Sequence, residues 1–434
     1  MKSLDKIPTT KIQRASKIFG VGAKVGVNYI KYYGQKLTGD STEAKANLHE
    51  NNASDIYEGL SKLKGSPLKM AQMLSMDQSI LPKAYVDKFS LAQFSVPPLS
   101  APLVRKTFFK TLGKYPEDLF DEFNPESSFA ASIGQVHHAK KGAQSFAVKI
   151  QYPGVAESIS SDLALIKPLA LKVFNIKSKD VERYFKEVES KLYEETDYKR
   201  EIEQSSEIAA KCAYLQNIKF PKMYPEYSSE RIITMEWMDG KHLSELNETN
   251  TNPETAKKIS QTLWDFYMYQ FHELRVMHAD PHPGNFLVNE QKQLIVLDFG
   301  CTKAIPSAFY DSFYKLTKQE NINDPERFEE LLWELQIFSK DDTDAQKNVV
   351  RSIFNQMLGM LCKPFNADEF DFSDSEFFTE LAKIGDDLTK NTEIRKMSGN
   401  RGSEHFLYVN RTFIGLFSLL SQLKGGKIRT AITF

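Results

Sequence analysis

Between residues 277 and 289 the chain reads MHADPHPGNFLVN, and no regular element can run through it. Pro281 and Pro283 lack the amide proton that a helix interior or a central strand needs, and Gly284 loosens the backbone beside them. The flanks are regular by contrast. Upstream, TAKKISQTLWDFYMYQFHEL has the apolar spacing of an amphipathic helix; downstream, QLIVLDFG reads as a short apolar strand. The order is helix, polar irregular loop, strand.

Two chemistries compete for this loop. His278 and His282 stand four apart, the spacing that puts two zinc ligands on one helical face, but the prolines forbid that helix and no glutamate follows His278. The second reading uses Asp280 and Asn285, five apart, with Asp298-Phe299-Gly300 at the end of the strand Leu294–Leu297. Aspartate, then asparagine, then a DFG aspartate is the order of a kinase catalytic loop and its metal-binding segment. A nucleotide triphosphate brings concentrated negative charge and Mg²⁺, a hard ion that takes oxygen ligands. Asn285 and Asp298 supply such oxygens, and Asp280 is placed for the transferring phosphoryl group.

This reading requires an upstream lysine for the phosphates. FAVKI sets Lys149 in a strand after Ala147 and Val148. A buried lysine needs a carboxylate, and Glu195, Asp197 and Glu201 are the candidates on the helical stretch that follows. Glu195 and Asp197, two apart, cannot share one helical face, so they have separate roles or stand at a helix end. The alternative for Lys149 is an edge-strand lysine whose head stays in water. No G-x-G-x-x-G precedes it. FAASIGQVHHA stands there instead, and its small residues Ala130, Ala131, Ser132 and Gly134 still let main-chain amides approach phosphates.

The totals fit a globular chain of two or three structural units: 434 residues, 41% apolar, 26% charged, mean hydropathy −0.42. A net charge of −1 gives no overall pull toward nucleic acid. Local charge is uneven. Between Asp5 and Asp40 there is no acidic residue, while Lys6, Lys11, Arg14, Lys17, Lys24, Lys31 and Lys36 alternate with Ile18, Phe19, Val21, Val25, Val27, Tyr29 and Ile30. Such a stretch either lies on an anionic membrane surface or packs as a terminal extension with lysines in water. Cys212, Cys301 and Cys362 are too few and too scattered for a disulfide framework or a zinc finger, and a reducing compartment fits. No apolar run is long enough to span a bilayer, and Lys17 and Lys24 interrupt any signal-peptide core. The expected place is the cytoplasm, peripheral on the inner face of a membrane.

Residues from about Thr42 to Leu112 read as mostly helical, with Ser66 and Pro67 at an N-cap and first helical position and a break at SVPPLSAP, Ser95 to Pro102. GQVHHAKKGAQSFAVKIQYPG reads as two strands about a turn near Gly142, and ERIITMEWMDG as another strand. A long helix is expected from about Ser178 to Gln216, and mostly helix beyond Cys301. The acidic run NADEFDFSDSEFF has no reading.

Seven stretches in order, LKGSPLKMAQMLSMD, AASIGQVHHA, FAVKIQYPGV, EETDYKRE, HADPHPGNFLV, VLDFG and NRTFIGLFSLL, make the chain resemble the UbiB family of atypical kinase-like proteins, also called ADCK or AarF. The resemblance implies an α+β, bilobal protein-kinase-like fold with an N-terminal helical extension and a helical C-lobe. Its parts map to 1–41 (basic amphipathic segment), 42–122 (helical extension), 123–238 (N-lobe) and 239–434 (C-lobe). It implies ATP and Mg²⁺ as cofactors, ATP hydrolysis, and association with ubiquinone biosynthesis, its enzymes and membrane lipids. The extension folds over the substrate site in that family, which argues against a protein acceptor.

Carried over residue by residue, the extension motif K-x-G-Q falls on Lys69 and Gln72, three apart on one helical face. The phosphate loop falls on Ala130, Ala131, Ser132, Ile133, Gly134 and Gln135, and the strand lysine on Lys149. The E-x-D motif falls on Glu195 and Asp197, with Glu201 a further helix glutamate, and the adenine-facing hinge on Glu236 to Met238. Asp280 is the catalytic-loop aspartate; Asn285 and Asp298 are the metal ligands. The chain departs from the family pattern at Ala71, in place of the motif glycine, and at Phe129, in place of the loop's first alanine. A true kinase acting on a protein or small hydroxyl compound, and a nucleotide-gated scaffold, are the alternatives.

Overall fold

The computed structural model describes residues 8, 10–38, 41–63, 65–76, 82–90, 98–130, 133–174, 178–246, 251–390 and 401–432. Helices lead: α1 (Lys11–Thr38), α2 (Ser41–Leu63), α3 (Ser66–Met76), α4 (Lys83–Ser90), α5 (Ala101–Leu112) and α6 (Pro116–Leu119). Strands β1 (Glu122–Phe123), β2 (Phe129–Ala130), β3 (Gly134–Lys141) and β4 (Gln144–Gln151) follow, then α7 (Val155–Phe174), α8 (Ser178–Thr196) and α9 (Tyr198–Lys211). Three short strands come next, β5 (Ile218–Lys219), β6 (Ile232–Glu236) and β7 (Lys241–His242), before α10 (Pro253–Tyr269). Beyond α10 lie β8 (Val276–His278), β9 (Phe286–Val288), β10 (Leu294–Val296) and β11 (Thr302–Ala304). The chain closes with α11 (Ser307–Leu316), α12 (Gln319–Asn323), α13 (Pro325–Glu334), α14 (Asp344–Leu361), β12 (Glu369–Asp371), α15 (Ser375–Lys390), α16 (Glu404–Leu423) and β13 (Lys427–Arg429). The class is α+β. Contacts divide it into two compact units, residues 1–203 with 222–237, and residues 204–221 with 238–434.

In the first unit an antiparallel sheet runs β1-β3-β4-β6, with β2 also on β3. Its register sets Val136 opposite Lys149 and Lys149 opposite Ile233, so the lysine stands on a central strand and not on an edge. The β3–β4 turn is the one expected: Gly142 takes φ +56°, which glycine adopts without strain. Phe108, Phe146, Val148, Tyr152, Tyr198 and Ile232 form the core beneath this sheet. A second core belongs to the helices, where Ile18, Val21 and Val25 of α1 meet Ile56 and Leu60 of α2, Met70 and Ala71 of α3, and Ile159 of α7. The basic N-terminal stretch thus has two faces. One is packed, while Ile12, Phe19, Val27, Ile30 and Tyr33 point outward.

One buried polar node fastens α1. The Arg14 guanidinium donates from Nε and Nη2 to both oxygens of Asp162 at 2.7 and 2.6 Å, and from Nη1 to the carbonyls of Pro8 and Leu63. Ser66 Oγ donates to the same Asp162 at 2.6 Å. Ser66 is therefore not the N-cap expected of it. The Gly65 carbonyl, at φ +63°, receives the first amides of α3 instead.

The second unit holds the sheet β5-β10-β9-β7, in which β5 and β10 are parallel, and the pairs β8–β11 and β12–β13. Its core runs from Trp264 and Phe266 on α10 to Phe413, Leu416 and Phe417 on α16. The acidic segment near residue 370 is strand β12, set against Lys427 and Arg429 of β13, so its charge is matched across the ladder. Among described residues no helix is long and apolar enough to cross a membrane.

One helical expectation changes. The helix expected from Ser178 to Gln216 is two helices, broken at Asp197, whose carboxylate accepts the Arg200 amide at 3.1 Å and starts α9. Helix α7, which was not among the expected elements, runs through Pro168. The stretch beyond Cys301 is mostly helical, as expected, with the three-residue strands β11, β12 and β13 besides.

Candidate functional site

In the first unit the break at Asp197 distributes the acidic residues. Glu195 closes α8 and binds Lys69 Nζ of α3 at 2.8 Å. Asp197 stays in the break, exposed, with its main-chain carbonyl accepting the Glu201 amide. Glu201, on the first turn of α9, is buried and accepts from Lys149 Nζ at 2.7 Å. The Lys149 ammonium also stands 5.2 Å from the centre of the Tyr198 ring, one turn from Glu201. Lys69 is thus paired with Glu195 and Lys149 with Glu201, and the edge-strand alternative for Lys149 is set aside.

The small-residue loop divides. Ala131, Ser132 and the side chains of Ala130 and Gln72 lie outside the described residues. Ile133 is buried. A side chain at Gly134 would meet the Ile150 carbonyl at 2.6 Å, so glycine here serves the close approach of β3 to β4. Gln135 is fully buried, and its amide is committed: Oε1 accepts the Leu99 amide at 2.6 Å and Nε2 meets His137 Nε2 at 2.7 Å. Because His137 Nδ1 bonds the Asn124 carbonyl, Nδ1 carries the proton and Nε2 accepts from Gln135. Burial holds the His137 ring below the usual imidazole range, in accord with that neutral form. Gln135 therefore braces the strand and the segment after residue 97, and its amide does not reach outward. Phe129, exposed, stacks on Trp237 with ring centres 6.1 Å apart. At the expected hinge, the Glu236 main-chain amide bonds the Lys222 carbonyl, and its carboxylate accepts the Lys222 amide at 3.2 Å. Met238 is half-buried and belongs to the second unit.

In the second unit the proline-rich run is an irregular loop leaving β8. Asn285 Nδ2 donates to the Asp280 carbonyl at 3.0 Å and to its Oδ2 at 3.1 Å, which aims the carboxylate. Two main-chain bonds tie this loop to the DFG segment, Ala279 N–H to the Cys301 carbonyl at 2.8 Å and Leu297 N–H to the Asn285 carbonyl at 2.9 Å. Asp298 Oδ1 accepts the Gly300 amide at 2.7 Å, and Phe299 is buried against Phe220 and His278.

His278 is not a zinc ligand. Its Nδ1 accepts from the Tyr267 hydroxyl at 2.9 Å, and its ring also bonds the Asp298 main chain. Complete burial lowers its pKa despite the nearby charges of Asp280 and Asp298. Its own amide donates to Gln270 Oε1 at 2.8 Å. His282 Nδ1 accepts the Gly284 amide. Tyr267 and Gln270, both bonded to His278, are supports of this loop that the sequence did not disclose; Gln270 begins a π-helical turn, Gln270–Leu274, that no apolar period announces.

The donor set suits a hard ion held mainly by its ligand. Among the described residues no three His, Cys, Asp or Glu side chains gather into a cage. Mg²⁺ needs none, since it takes one or two protein oxygens plus phosphate and water.

The model of the ABC1 atypical kinase-like domain matches residues 91–332, more than half the chain. The chain belongs to the ABC1 atypical kinase-like family. This ABC1 member is 30% identical over 282 residues to the chloroplastic aarF domain-containing protein kinase At1g71810 of Arabidopsis thaliana, covering 64% of this chain and 40% of the relative. It is 29% identical over 439 residues to the mitochondrial atypical kinase COQ8 of Saccharomyces cerevisiae, covering 99% of this chain and 85% of the relative. Among solved structures, the complex of Rv3197 with erythromycin from Mycobacterium tuberculosis shares its fold, with TM-score 0.59 at 22% identity over 89% of this chain and 95% of that one.

Proposed function

We propose that this ABC1 family member binds ATP with Mg²⁺ and hydrolyses it in support of isoprenoid-quinone or related lipid metabolism at a membrane. The observation that carries the reading is the Lys149–Glu201 pair, a buried ammonium held at 2.7 Å on a central strand. Burying both charges is unfavourable unless the pair is kept for a purpose, and a phosphate-binding lysine is the purpose that fits this strand. The phosphates fall to Lys149 and the amides of the 130–135 loop, the adenine to the main chain from Glu236 to Met238, and the metal to Asn285 and Asp298. Bound Mg²⁺ supplies charge neutralisation for the phosphoryl group. Asp280, held by Asn285, orients the attacking water. Lys69, paired with Glu195, and by motif Gln72 are assigned to the extension's part in the reaction.

The lipid part of the reading is supported by α1. Ile12, Phe19, Ile30 and Tyr33 are 84, 71, 73 and 60% exposed on a helix that also carries Lys11, Lys17, Lys24 and Lys31. Apolar side chains flanked by lysines suit an anionic bilayer surface. The yeast relative is named as a mitochondrial atypical kinase.

The test is ATP turnover with and without anionic vesicles, in the parent and in Asp298→Asn. The expected result is turnover raised by vesicles and reduced on the order of 10²-fold or more by the substitution. Parental turnover in Asp298→Asn would sink the mechanism. A second reading, transfer to a hydroxyl acceptor, draws on the Asp280 carboxylate, which is only half-buried and fixed in direction. Label transfer that disappears in Asp280→Ala would select it.

A further inference from the structure

The motif NRTFIGLFSLL lies in α16, far along the chain from every residue assigned above, and its glycine has an unexpected neighbour. A side chain at Gly415 would meet Pro281, the residue after Asp280, at 2.4 Å from Cγ, 3.4 Å from Cβ and 3.6 Å from Cδ. All three atoms belong to the proline ring. Glycine weakens a helix interior relative to alanine, and Gly415 sits in the middle of the 20-residue α16. Its neighbours Phe413, Leu416 and Phe417 are buried in the core and hold α16 in place.

We propose that Gly415 is a positioning residue: the helix α16 presents a side-chain-free seat for the Pro281 ring and thereby sets the catalytic loop that carries Asp280. This inference rests on the reading in which Asp280 acts on the phosphoryl group. A Cβ at position 415 needs about 1 Å more room to reach ordinary contact. Since α16 is locked by its aromatic neighbours, the loop yields. Asp280 moves with Pro281, because its carbonyl also receives the His282 amide at 2.7 Å and the Asn285 amide. A displacement near 1 Å at a reacting group lowers turnover on the order of 10²-fold.

The geometry also names its own rescue. In Gly415→Ala with Pro281→Ala, the ring atoms Cγ and Cδ are gone and only the 3.4 Å contact with Cβ remains, which is ordinary packing. The experiment compares the parent, Gly415→Ala, Pro281→Ala and the double variant. It records kcat and KM for ATP, nucleotide affinity, thermal midpoint, and amide hydrogen exchange across residues 279–289. The expected result is a large fall in kcat for Gly415→Ala with KM, affinity and midpoint near parental, faster exchange in the loop, and recovery in the double variant to the level of Pro281→Ala. Parental kcat and loop exchange in Gly415→Ala overturn the proposal. So does a double variant as impaired as Gly415→Ala, or a kcat loss that tracks a lowered midpoint. If the parent itself does not turn over ATP, the functional reading fails, and the exchange pattern of the four proteins alone decides the seat.

Discussion

Arg14→Ala tests how firmly α1 is fastened to the rest of its unit. The substitution removes both contacts to Asp162 and those to the carbonyls of Pro8 and Leu63, leaving Asp162, 1% exposed, with Ser66 as its remaining donor in this node. Stranding one partner of a buried pair costs about 3–5 kcal/mol, while replacing both by apolar groups of similar size is close to neutral. At 1.4 kcal/mol per decade, opening of α1 becomes on the order of 10²–10⁴ times more frequent. Amide exchange across residues 14–30 reads this directly, and urea unfolding followed by fluorescence reads its share of unit stability. Arg14→Met with Asp162→Leu should restore most of the protection. Unchanged exchange in Arg14→Ala would refute the stranded-charge argument. A double variant as damaged as the single would assign the loss to packing instead.

The remaining expectations concern charge and surface. Burial first, then the charges of Arg275 and Lys318, push His272 down to about 4, with its Nδ1 bonded to Tyr310. Its folded pKa lies below the unfolded 6.5, so its contribution is full above pH 6.5 and is lost as pH falls toward 4, about 3 kcal/mol over that window; His272→Gln should flatten stability against pH there. Glu201→Ala should destabilise by about 3 kcal/mol by removing the carboxylate that holds the buried Lys149 ammonium at 2.7 Å, and Lys149→Met with Glu201→Leu should recover stability in thermal melts while ATP turnover stays lost. Asp at Ile12, Phe19 and Ile30 together should abolish co-sedimentation with anionic vesicles and leave the circular-dichroism spectrum unchanged, since all three side chains are exposed.

Local chemistry was legible wherever a side chain dictates its own backbone. Pro281, Pro283 and Gly284 announce the irregular loop, and Gly142 its turn, because the constraint lies within the residue. What the sequence hid depends on partners distant along the chain. Glu195, Asp197 and Glu201 were three candidates for one lysine; the cap at Asp197 rotates the following helix, and Lys69 claims the first while Lys149 claims the third. Gln135 looked like a phosphate-loop residue by its place in the motif, but Leu99 and His137 occupy its amide. Helix α7 runs through Pro168, whose penalty is outweighed by the burial of Ile159, Leu163 and Ile166.

Strand β5 has a practical implication for anyone cutting this gene. Its pairing with Leu294 and Ile295 of β10, and the packing of Phe220 on Phe299, come from residues encoded before the segment 222–237 that belongs elsewhere. A recombinant fragment begun at residue 239 leaves β10 with a bare flank, an invitation to sticky intermolecular pairing. A soluble version of that half should instead splice residues 204–221 to residue 238 through a short designed linker.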